Sequence, residues 1–195
     1  MASAMREERP TTTRQTSAAP LWRRAWPAAL AVVVAAGTAY GLTDGRDAAP
    51  VVAASGLIYL AAAATGRRWM AWIGFAVTFA LITLDKFAGV DAVPWVLALA
   101  VAMLLTGLAT RRTGPWWSLP LQTAAMIVLG VIALLSMRAD ATAGGLLVAA
   151  ALLGHSAWDV VHHRTGRVVD HSLAQFCAVL DVLVAVFVGV VALIA

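Results

Sequence analysis

Seven apolar runs, each closed by a short polar turn, make up most of this chain. They lie near 25–42, 49–65, 69–87, 92–110, 115–136, 141–163 and 173–195. Each approaches the roughly 20 residues with which a helix crosses a ~30 Å hydrocarbon core. Apolar residues follow one another inside the runs without the two-residue alternation of a membrane barrel strand. The pattern predicts an all-α integral membrane bundle of seven transmembrane helices. The third run is the least regular, because Asp85 and Lys86 close it early; six spans with one re-entrant segment is the alternative. Residues 1–20 lack apolar periodicity and are rich in Thr, Ser, Ala and charge. They are expected to be a disordered cytoplasmic tail ahead of a membrane domain over 21–195.

The turns predict orientation, since basic residues concentrate on the cytoplasmic connections of membrane proteins. Arg6, Arg9, Arg14, Arg23 and Arg24 precede the first run, and alternate turns then carry Arg67 and Arg68, Arg111 and Arg112, and Arg164 and Arg167. The intervening turns hold only Arg46, Lys86 and Arg138, each beside an aspartate. The N-terminus is therefore expected in the cytoplasm and the C-terminus outside, and only an odd number of spans keeps the alternation. Trp22, Trp26, Trp69, Trp72, Trp116 and Trp117 flank the same arginine turns, at the headgroup level that tryptophan prefers.

Composition agrees with a bilayer setting. The chain is 62% hydrophobic and 12% charged, against roughly 25% charged residues in soluble domains. The net charge of +4 sits in the turns and reads as orientation, so membrane lipid and not nucleic acid is the expected partner. A lone cysteine, Cys177, excludes an intrachain disulfide and any CxxC motif. Lys86 is the single lysine among fourteen basic residues; with the abundant alanine this resembles a high-GC bacterial composition, and the expected location is the bacterial inner membrane. Small residues in the second and sixth runs let helix backbones approach closely, and the same faces would serve a homo-oligomer.

Candidate chemistry collects in one stretch, His155 to Asp181. At 100° per residue, His155, Asp159 and His162 share one face of the sixth helix, with His163 at its edge. His155 and Asp181 should each lie ~12 Å from the cytoplasmic end, on antiparallel neighbours joined by a short turn. The expectation is a shallow pocket between spans six and seven, to which Gln122 and Thr106 are the further polar candidates. Buried carboxylates in a membrane are expensive and by default mark function. His155, His162 and Asp181, with His163 as a further candidate, are donors that suit a Zn²⁺ site with an open position. Asp159 would then be the general base for bound water, or the acceptor that sets a histidine tautomer. The competing reading is a structural network of imidazoles and carboxylates, with His162, His163 and His171 as wet surface groups and Cys177 as a small buried residue. Function thus divides between a metal-dependent membrane hydrolase acting on a lipid-like substrate and a non-enzymatic small transporter or interaction protein.

The segment Trp158-Asp159-Val160-Val161-His162-His163, followed by Cys177 and Asp181, resembles the C-terminal part of small bacterial multi-spanning proteins that carry WDxxHH and then CxxxD. That likeness covers about the last quarter of the chain and implies a fold, not an activity. Seven helices with intramembrane His and Asp are also faintly similar to the alkaline ceramidase and progestin/adipoQ receptor superfamily of metal-dependent lipid amidases. The last span here lacks that superfamily's HxxxH, and no residue role is carried over from it.

Overall fold

A computed structural model describes residues 21–194, so the expected tail over 1–20 lies outside the described residues. The described residues form seven α-helices and no strand: α1 (Leu21–Ala39), α2 (Ala49–Thr65), α3 (Met70–Ala88), α4 (Ala92–Ala109), α5 (Leu119–Ser136), α6 (Ala141–Thr165) and α7 (His171–Ile194). A single 3-10 turn, Gly45–Ala48, precedes α2.

Turn chemistry explains where the helices begin and end. Asp91 and Asp140 cap α4 and α6, accepting from the backbone N–H of Val93 and Ala143 at 3.1 and 2.9 Å. Gly66, Gly89 and Gly166 close α2, α3 and α6 in the left-handed conformation, which glycine adopts without a Cβ penalty. Of the three basic residues in the acid-bearing turns, Arg46 alone among the described residues pairs with its aspartate, at 2.6 Å to Asp44. Lys86 instead donates to the carbonyls of Gly37 and Thr38 at the end of α1.

Helix α2 is the centre of the bundle. Every residue from Ala49 to Ala64 is buried, and α3, α4, α5 and α6 pack around it. Its small side chains permit this crowding: a Cβ added at Gly56 would lie 2.8 Å from Met126 Sδ and 3.0 Å from Met126 Cα on α5. Helices α6 and α7 form an antiparallel hairpin, and α1 lies along α7. The outward faces carry Val33, Phe79, Val101, Leu105, Ile127 and Val186, all exposed. A bundle with an apolar exterior and buried carboxylates is the inverse of a soluble fold and suits a hydrocarbon solvent.

Among the described residues, six helices are long and apolar enough to cross a membrane. The irregular third run is among them, as α3 continues through Asp85 and Lys86 to Ala88. The first run forms α1, whose 19 residues rise about 28 Å at 1.5 Å per residue. Turns do alternate between two ends of the bundle. The guanidinium of Arg167 lies 5.2 Å from the Trp117 ring centroid at one end, and Arg46 donates to the Ala139 carbonyl at the other.

Candidate functional site

Helical periodicity carries the site. His155, Asp159 and His162 recur on one face of α6 and are all buried, against α7 and the central α2. Asp181 comes from the facing side of α7 and is 1% exposed. The two helices extend two residues beyond the expected ends, so His155 and Asp181 each lie about 15 Å from the intervening turn. The cluster thus lies about 3 Å further from the turn than the ~12 Å expected from the sequence.

Three side chains converge. Nδ1 of His155 lies 2.8 Å from Oδ2 of Asp181 and 3.5 Å from Oδ2 of Asp159. The phenol of Tyr59, on α2, donates to Oδ1 of Asp159 at 2.5 Å. The Tyr59 ring stands edge-on to both His155 and His162, with centroids 5.3 and 4.9 Å apart. A neutral imidazole has one N–H, and the shorter contact directs it to Asp181. Oδ2 of Asp159 is left buried without a hydrogen-bond partner. His155, Asp159 and Asp181 each offer a ligand atom within 4.8 Å of the others. Two carboxylates at this depth need two protons or one divalent cation for neutrality, because isolated charge in a low dielectric is prohibitive.

His162 stands apart from that group. Its Nδ1 donates to the Trp158 carbonyl at 3.0 Å, and Gln122 Nε2 approaches its Nε2 at 3.3 Å. That arrangement defines a neutral imidazole with its proton on Nδ1. Far from being a wet surface group, His162 is 6% exposed, because α5 covers it through Gln122. The amide of Gln122 also donates to the Trp117 carbonyl, while its Oε1 and the Trp158 Nε1 are buried without partners. His163 and His171 are exposed and clip the turn together: each Nδ1 donates to the other's carbonyl, at 3.0 and 2.6 Å. Thr106, on an exposed face of α4, donates to its own Ala102 carbonyl and joins no pocket. Ser156 links α6 to α7 instead, donating to the Ala178 carbonyl. Sequence reasoning missed Tyr59; the available signal was a lone phenol in an alanine-rich apolar helix, since a buried tyrosine hydroxyl needs a partner.

Asp181 also lines a cavity of 420 Å³ bounded by α1, α2, α3 and α7. The opening therefore lies on the α1–α3 side rather than between spans six and seven, because Tyr59 and α2 cover the cluster's other flank. Stacked Trp26 and Trp72, 5.6 Å between centroids, join α1 to α3 at one end of this cleft. The Lys86 bonds to Gly37 and Thr38 join them at the other.

Comparison of the chain with protein families, curated proteins and solved structures finds no significant match.

Proposed function

We propose that His155, Asp159 and Asp181 form a divalent metal site, with zinc the expected ion, in a membrane protein acting on a lipid-like substrate. The observation that carries this reading is the unpartnered Oδ2 of Asp159 inside a group of three donor atoms within 4.8 Å of one another. Ligand atoms about 2.0–2.2 Å from one tetrahedral zinc ion stand roughly 3.3–3.6 Å apart, so donors spread over as much as 4.8 Å would draw together around the ion. One divalent charge would neutralise both carboxylates without adding a proton. Three protein donors leave an open position, and such sites supply an activated water or a polarised carbonyl.

The protein's own groups divide the work. His155 and Asp181 hold the site from two helices. Tyr59 binds Oδ1 of Asp159, which leaves Oδ2 to face the same centre, where it would serve as the third donor to a bound ion. His162 supports the wall through Gln122.

The test is elemental analysis of detergent-purified protein prepared without chelator, beside His155→Ala, Asp181→Ala and, as a control, His163→Ala. Near-stoichiometric metal in the wild type and the control, lost in the first two variants while they stay folded, is the expected result. A metal-free wild type with both cluster variants destabilised would overturn it.

A second reading rests on the direct 2.8 Å His155–Asp181 contact, which closes the pair without an ion. In that case the network is structural, or carries protons in a small transporter. The same measurements decide between the two.

The proposal extends to topology and setting. The arginine-rich turns support a cytoplasmic N-terminus, an outside C-terminus and seven spans. Composition supports a bacterial inner membrane, and the WDxxHH and CxxxD pattern supports kinship with the small bacterial proteins that share it. Lipid is the expected partner, with self-association through small-residue faces.

A further inference from the structure

We propose that the cleft between α1 and α3 binds the hydrocarbon chain of a single-chain membrane amphiphile, whose non-anionic head hydrogen-bonds the Asp181 carboxylate. The inference concerns the cleft and the carboxylates and does not depend on a bound metal.

The cleft opens sideways. Val33, Phe79 and Phe87 line it and are 68%, 46% and 72% exposed, so its mouth faces the surroundings of the bundle, which for this chain is lipid. The Trp26–Trp72 stack and the Lys86 bonds to α1 bound it at both ends. Fourteen residues of α3 separate these ties, about 21 Å of rise. The opening is a lateral window rather than a pore.

Four of its five wall hydroxyls are turned back on their own helices, the Tyr40 phenol being the fifth. Thr38, Ser55, Thr78 and Thr83 all line it, and each hydroxyl donates back to a carbonyl of its own helix. The remaining wall is aliphatic or aromatic, the surface that suits a hydrocarbon chain.

Beyond the exposed Tyr40 phenol, polarity returns at two places. Lys86 at the rim is already bonded to two carbonyls. Deeper, Asp181 lines the floor, with Asp159 behind it through His155. Among the described residues, no lysine or arginine other than Lys86 lines the cleft. The floor therefore suits an amine or hydroxyl head, which donates to the Asp181 oxygens, over a carboxylate or phosphate head, which would bring a further buried negative charge.

The experiment uses the full chain in nanodiscs, with a photoactivatable, alkyne-tagged hexadecanol carrying a mid-chain diazirine. Crosslinked peptides are mapped with the protein as purified and again after chelator treatment. Labelling should concentrate on α1, α2 and α3 residues of the cleft. It should be displaced by hexadecanol and hexadecylamine, poorly by octanol, and in chelator-treated protein poorly by palmitate. Val33→Trp, at the exposed mouth where folding is not at stake, and Ala54→Phe, on the floor, should each lower labelling by about tenfold. Label spread equally over the outer faces of α4 and α5, or unchanged in Val33→Trp, would overturn the proposal. So would palmitate competing as well as hexadecylamine after chelation. Cleft labelling that persists in a protein found to hold no metal leaves this proposal standing and removes the metal reading alone.

Discussion

Tyr59 Oη and Asp159 Oδ1 meet at 2.5 Å across one hundred residues of sequence. The bond ties the central helix α2 to the α6–α7 hairpin, and both partners are buried. It makes the phenol part of the polar cluster and the bundle's core at once.

Tyr59→Phe keeps the ring and removes only the donor. Asp159 would then lose its one hydrogen-bond donor, and leaving a buried acceptor unsatisfied costs about 1–3 kcal/mol. A fall of that size in unfolding free energy, by denaturant titration in detergent, is expected. An unchanged midpoint would show that Asp159 finds another donor and that the bond is dispensable.

Two glycines on α2 and α6 should respond in opposite directions. A side chain at Gly56 meets backbone as well as side-chain atoms of α5 within 3.0 Å, so Gly56→Ala is expected to lower stability by about 1–3 kcal/mol through overpacking. At Gly154 nothing lies within 4 Å, and Gly154→Ala should raise stability by roughly 0.5–1 kcal/mol through helix propensity. Paired thermal melts check both; the same sign in both variants would contradict this packing.

Asp44 offers a pH test outside the spans. The Arg46 guanidinium, bonded to its carboxylate, holds the Asp44 carboxyl below its usual value against the smaller effect of burial. A depressed folded value means the stabilisation is present above the unfolded value of about 3.9 and is lost as pH falls through the lower folded value. Asp44→Asn should therefore melt lower than wild type at neutral pH, and the gap should narrow in acid. A gap independent of pH would assign the effect to local packing rather than to charge, since Asn keeps the oxygen that accepts from Arg46 N.

Most helices were legible because their determinants are local. Continuous apolar runs, aspartate N-caps and left-handed glycines lie within a few residues of the boundaries they set, so α2, at 49–65, begins and ends where the pattern predicts. The first run is the exception: α1 begins at Leu21 with Pro27 inside it and stops at Ala39, three residues before the expected end. His155, Asp159 and Asp181 were legible as a group because helical periodicity and one tight turn bring them together.

What the sequence by itself determined is the solvent: no other environment fits apolar helices whose charges lie in turns, and the carboxylates at depth were visible as exceptions to that rule. Tertiary structure alone decided which helix is central, and with it Tyr59, the burial of His162 beneath Gln122, and the side from which Asp181 is reached. The physical reason lies in α2, whose residues, Ser55, Tyr59 and Thr65 apart, are apolar all round. A helix with no polar face gives no sequence signal for which neighbours it will meet, so its partners emerge only when the whole bundle packs.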